Sequence, residues 1–127
     1  EGLYMDKQLI KVSKTFAKML ASDMFKKIED IRNENYEKCI LYLMKPRKFL
    51  FWDITRTKKE AIELYNSYDD YDFKTLPDFF RRSKYYAESY YDRSTQIYDV
   101  CNVLSEDFIY LTMEDAGMLG KMVEEND

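Results

Sequence analysis

Ile97, Cys101, Leu104, Phe108 and Leu111 follow one another at intervals of four, three, four and three. Met118 and Met122 continue the seam past a single polar break at Asp115. Apolar residues at this heptad-like spacing line one face of a helix. The seam is the most regular pattern in the chain, and it predicts one long helix over about 77–115. Pro77 suits the first turn of such a helix, and Asp78 lies where the helix dipole favours an acid. Gly117 and Gly120 loosen the pattern, so residues 116–127 are expected to fray.

A similar stripe opens the chain. Leu9, Val12, Phe16 and Met19/Leu20 recur at helical spacing, and Met24, Ile28, Ile31, Cys39 and Tyr42/Leu43 continue them. The stripe slips by one position near Ser22-Asp23, where Asp23 can cap a fresh helix. The pattern therefore fits either one long bent helix over about 5–44 or two helices meeting at 22–23. Pro46 biases Lys45 away from helical angles and ends the element.

The next stretch, KPRKFLFWDITRTKKEAIELYNSY, is ambiguous. Leu50/Phe51, Ile54, Ala61/Ile62 and Tyr65 fit one helical face, which favours a helix over about 47–67 starting at Pro46. Thr57 and Glu60 also form a capping box. On that reading the helix starts later and residues 48–55 are extended. DFIYLTM, over 107–113, is likewise compatible with a strand, although the helical spacing on both sides favours helix. Asn, Ser and three Asp between 66 and 77 disfavour regular structure and mark 68–76 as a loop, pinned by Tyr68, Tyr71 and Phe73.

Only three Gly and two Pro occur in 127 residues, too few turn formers for a sandwich of many strands. No repeat or Ser/Gly linker divides the chain. The expected fold is all-α: a single helical domain, built as an elongated three- or four-helix bundle with long amphipathic helices.

Function is narrowed mainly by exclusion. The chain has no His, which removes the commonest general base and metal ligand. No Ser or Cys sits in a nucleophile motif, and no Gly-rich phosphate loop is present. The expectation is a non-enzymatic protein with no cofactor and no metal. Cys39 and Cys101 read as reduced core cysteines, with a disulfide as the minority alternative. Glu106, Asp107, Glu114, Asp115, Glu124, Glu125 and Asp127 make the C-terminal region acidic and read as a solvated face or tail. The run Asp69-Asp70-Tyr71-Asp72 lacks the Gly and closing Glu of a calcium loop.

Two constellations are candidates for binding. Lys45, Arg47, Lys48, Phe49, Phe51, Trp52, Arg56, Lys58 and Lys59 form a basic-aromatic stretch. It suits an anionic contact, with Arg47, Lys48, Phe51, Trp52, Arg56 and Lys59 as the candidate residues. The contact could be nucleic acid, an acidic protein or a lipid surface; a solvated basic face beside core aromatics is the bland alternative. Arg81, Arg82, Tyr85, Tyr86, Tyr90 and Tyr91 form a second band, whose composition is that of a protein-binding hot spot. Adjacent rings such as Tyr85-Tyr86 cannot share one direction on a helix. The seven Met read as core packing, with a partner groove at Met118 and Met122 as the alternative.

The function expected from these features is a protein-interaction or assembly module, acting through self-association or as an adaptor. The alternative is a nucleic-acid-binding accessory protein, although a net charge of −4 supplies no global field for polyanions. No apolar stretch is long enough to span a membrane, and no signal peptide is visible. An intracellular, cytoplasmic location is expected. A start at Glu1 is compatible with a fragment preceded by a targeting segment. The abundance of Lys, Tyr, Asp, Ile and Asn suits an AT-rich coding genome of viral or parasitic type.

Overall fold

The computed structural model describes residues 8–126, with side chains through Glu124. The chain is mostly helical, at 71% helix, and carries two small antiparallel sheets. In order the elements are β1 (Leu9–Ser13), α1 (Lys14–Met44), β2 (Arg47–Phe49), β3 (Trp52–Ile54), α2 (Lys58–Ser67), α3 (Asp70–Thr75), α4 (Asp78–Tyr85), α5 (Glu88–Val103), β4 (Phe108–Thr112) and α6 (Met113–Asn126). They divide into two compact units. Residues up to Ile28 and from Ala87 onward form a sheet unit, and Glu29–Tyr86 forms a hairpin unit. The chain passes from one to the other inside α1 and again at Tyr86-Ala87.

Helix α1 runs unbroken for 31 residues, roughly 46 Å at 1.5 Å per residue, so the slip at Ser22-Asp23 does not break it. It starts later than its stripe suggests, because Leu9–Ser13 is a strand; residues 5–7 lie outside the described residues. That strand pairs with β4 in antiparallel register, Leu9 opposite Thr112 and Ser13 opposite Phe108. The ladder continues into the helix start, where the Lys14 amide donates to the Asp107 carbonyl at 2.8 Å. Lys14 Nζ caps the end of α5 by donating to the Leu104 carbonyl at 2.9 Å.

The seam that predicts a single helix over 77–115 is broken twice. Tyr86 leaves helical angles, and Ala87 takes a left-handed conformation (φ 50°, ψ 39°) before α5 begins. Arg32 Nε donates to the Tyr86 carbonyl at that break, 3.1 Å away. The second break follows Leu104, where residues 108–112 form β4. Leu104, Phe108 and Leu111 keep helical spacing, but only Leu111 and Ile109 point into the core, two residues apart as in a strand. The predicted frayed tail is helical through Asn126.

The core of the sheet unit joins Ala17, Leu20, Ala21, Met24 and Ile28 of α1 to Ile97 and Cys101 of α5, Ile109 and Leu111 of β4, and Met118, Leu119 and Met122 of α6. Phe25 meets Tyr98 edge to face at 5.3 Å. Asp115, the polar break in the seam, receives Arg93 Nε at 2.7 Å, a pair roughly three-quarters shielded from water.

The favoured helix over 47–67 is a β-hairpin followed by α2. Thr57 caps α2 through a complete capping box with Glu60. The Thr57 backbone amide on its carboxylate holds the Glu60 pKa below the usual value. The expected loop over 68–76 contains α3, closed by the same reciprocal device between Asp69 and Asp72. Cys39, Ile40, Leu43, Ala61, Phe73 and Phe80 are buried at the centre of this unit, and Tyr36, Tyr65, Tyr68 and Phe79 pack around them. Phe73 and Phe80 rings lie 6.1 Å apart. Tyr65 exchanges a hydrogen bond with Ser83 at 2.7 Å, which satisfies its hydroxyl inside the cluster. Both cysteines are free and buried. Burial pushes the Cys39 thiol up to about 11, and it raises Cys101 as well.

Candidate functional site

The basic-aromatic stretch forms the β2–β3 hairpin and its base. Arg47 pairs with Ile54, Lys48 with Asp53 and Phe49 with Trp52. Because side chains alternate along a strand, Arg47, Phe49, Trp52 and Ile54 share one face, and Lys48 and Asp53 share the other. Lys48 Nζ and Asp53 are 3.5 Å apart on that polar face. Leu50 and Phe51 form the two-residue turn.

None of these six strand residues is buried, and neither turn residue is. Leu50 is 71% exposed and Phe51 is 93% exposed. Leu50 also has φ 56°, in the left-handed region. Two-residue hairpin turns normally place Gly or Asn at such a position, since a Cβ there is strained. Leu50 thus satisfies neither the backbone preference nor the demand for burial. Four consecutive large apolar residues, Phe49 to Trp52, stand in solvent.

The base of the hairpin is cationic. Lys45, Arg47 and Arg56 line a cleft of about 380 Å³ with Tyr42, Tyr68 and Leu76, and among the described residues no carboxylate lines it. Arg56 is oriented by donating to the Leu43 carbonyl at 3.1 Å. Lys59 is exposed in the first turn of α2. Over residues 45–59 six cations face one acid, Asp53. Of this site the sequence pattern misses Leu50 and Ile54, because both fit the apolar face of the helix expected over 47–67. The capping box at Thr57, which moves the helix start beyond the run, is the signal that points the other way.

The Arg-Tyr band is divided by the break at Ala87. On the hairpin unit, Arg81 pairs with Asp78, Arg82 lies 4.6 Å from the Tyr86 ring, and the Tyr85 hydroxyl donates to Asp70. On the sheet unit, Tyr91 packs edge-on to Phe25 at 6.3 Å, and Tyr90 receives Lys121 Nζ at 3.4 Å. Much of this band is thus engaged within its own unit.

A further surface was not marked by the sequence. The sheet unit's two strands pair only with each other among the described residues, so each leaves one edge without a ladder partner. β1 carries Lys11 at its centre, whose ammonium lies 4.3 Å from the Phe108 ring. β4 reads FIYLT, with no charge and no proline. Phe108 and Tyr110 project from it into solvent, and Tyr110 is 60% exposed. Phe108, Ile109 and Tyr110 also line a cleft of about 520 Å³ with Val100 and Leu104, and Lys11 and Glu106 add one charge of each sign to it.

Among the described residues no group of three or more acids and cysteines is placed to hold a metal ion, and no helix is long and apolar enough to cross a membrane. Comparison of the chain with protein-family models, curated proteins and solved structures finds no match.

Proposed function

We propose that this chain is a non-enzymatic protein-interaction module that self-associates along the outer edge of β4. The observation that carries the reading is an uncharged edge strand with Phe108 and Tyr110 exposed on its outward face. Exposed edges offer a row of backbone donors and acceptors to another strand, and proteins that do not use them usually blunt them with Lys or Pro. β1 has such a residue in Lys11 and β4 has none. The absence of His and of nucleophile motifs from the sequence supports the non-enzymatic part.

Sedimentation equilibrium over a concentration series tests the proposal. Wild-type protein should form a defined oligomer that survives moderate salt, because apolar burial and backbone pairing dominate. Tyr110→Lys places a charge on the outward face of the same strand and should yield a monomer with unchanged helical content. A wild-type chain that stays monomeric throughout, or a Tyr110→Lys variant that associates equally well, overturns the reading.

A further inference from the structure

The hairpin has a different chemistry from the β4 edge, and the geometry points to a different occupant. We propose that the β2–β3 hairpin is a peripheral membrane-docking element, which inserts Phe49, Leu50, Phe51 and Trp52 into the interfacial region of an anionic phospholipid bilayer.

The first support is the tip. An exposed, contiguous apolar cluster at a turn is costly in water, and these four side chains stand from 59% exposed at Phe49 to 93% at Phe51. Leu50 adds a backbone cost, because its left-handed φ is unfavourable for any residue with a Cβ. Neither cost is offset by burial within the chain, and insertion into an apolar phase would offset the first. Leu, Phe and Trp together are the residues that favour the boundary between headgroups and acyl chains.

The second support is charge complementarity around the tip. Lys45, Arg47 and Arg56 line one cleft at the hairpin base, with no carboxylate among its described lining residues. Lys58 and Lys59 follow at the start of α2. Clusters of four or more cations beside an apolar anchor are attracted to phosphatidylserine-rich surfaces, by about 1 kcal/mol per Lys or Arg near the surface. Hydrophobic insertion and electrostatic attraction are each weak alone, and stable docking requires both.

The same cations could meet nucleic-acid phosphates. The tip argues against that occupant. Its most projecting pair begins with aliphatic Leu50, which offers no ring for a base to stack on. A bilayer requires only that a small apolar tip reach the interface, with no shape match along a groove.

Trp52 is the sole tryptophan in the chain, so its fluorescence reports on the hairpin alone. Wild-type protein is titrated with vesicles of phosphatidylcholine, with vesicles of equimolar phosphatidylcholine and phosphatidylserine, and with single- and double-stranded oligonucleotides. The expected result is a blue shift of Trp52 emission and co-sedimentation with the anionic vesicles only, weakened by salt. The double variant Leu50→Asp, Phe51→Asp should bind those vesicles at least about tenfold more weakly with unaltered circular dichroism, since charges at the tip oppose insertion. Lys45→Gln with Arg47→Gln should weaken vesicle binding while the fold persists. Absence of any shift with anionic vesicles overturns the proposal. So does equal binding to pure phosphatidylcholine, which would remove the role of the cations, or a response confined to oligonucleotides. Vesicle binding that persists in the tip variant would place the contact elsewhere and also overturn it.

Discussion

The molecule contains two antiparallel two-stranded sheets of nearly opposite character. β1 and β4 are almost a hundred residues apart in sequence, and their pairing closes the sheet unit. β4 turns Ile109 and Leu111 into a core shared with α1, α5 and α6. β2 and β3 are joined by two residues and bury nothing. The long-range sheet must earn back the entropy of closing a long loop, and it does so with apolar burial on one face. The hairpin closes cheaply and can remain without a core of its own only because α1 and α2 anchor its ends. An isolated two-stranded hairpin is marginal in water. One sheet therefore holds its own unit together, and the other is held by the helices at its ends.

The largest effect that could break this contrast is expected at Leu111. It is buried on the inner face of β4, and truncating such a side chain removes transfer energy and leaves a cavity. Leu111→Ala should lower unfolding free energy by about 2–5 kcal/mol, measured by urea denaturation. A loss below about 0.5 kcal/mol, the range of an ordinary surface change, would mean that the long-range sheet is not structural.

How these two sheets were written in the sequence differs as well. Helix α1, the start of α2 and the Pro46 stop are local, and capping and periodicity mark them. The pairing of β1 with β4 leaves no local trace, because its ladder partners lie at opposite ends of the chain. Worse, Leu104, Phe108 and Leu111 mimic a helical seam. Leu104 caps the end of α5 and Phe108 faces solvent, so three residues at helical spacing serve three different roles. Ala87 is equally silent: nothing in the residue type announces a left-handed turn. Asp69 and Asp72 have the composition of a loop, though their spacing is that of a reciprocal cap. At the hairpin, composition marked Arg47, Lys48, Phe51 and Trp52 as a cationic-aromatic patch. It could not decide whether the apolar run was inside or outside, since a buried segment and an exposed tip use the same residues.

A smaller effect sharpens the claim that the hairpin unit is held by its aromatic core. Cys39 lies in that core with its Sγ donating to the Phe79 carbonyl at 3.4 Å. Burial raises its pKa from 9.0 to about 11, so the folded state favours the neutral thiol. The unfolded chain therefore loses this proton first as pH rises. The stabilising contribution is full below pH 9.0 and disappears as pH climbs through about 11. Urea midpoints should fall across that window, and Cys39→Val should flatten the decline. Tyr65, whose pKa burial also raises, supplies a residual slope of the same sign. A variant with an unchanged slope would show that this part of the core opens to water before the unit unfolds.

The smallest expected effect is at the hairpin tip, and it tests the contrast most directly. Phe51 is almost wholly exposed, so Phe51→Ala removes no buried surface, and its stability change should stay within about 0.5 kcal/mol. Leu50→Gly relieves a left-handed Cβ that is worth roughly 1–2 kcal/mol. The greater freedom of glycine in the unfolded chain offsets about 0.5–1 kcal/mol of that gain. The net should be neutral to slightly stabilising, against the losses expected for Leu111. Unfolding free energies of the two tip variants, set beside their vesicle affinities, separate the roles. A tip that stabilises the fold would show a clear loss of unfolding free energy with each substitution. A tip reserved for an outside surface leaves the fold intact and loses only its binding.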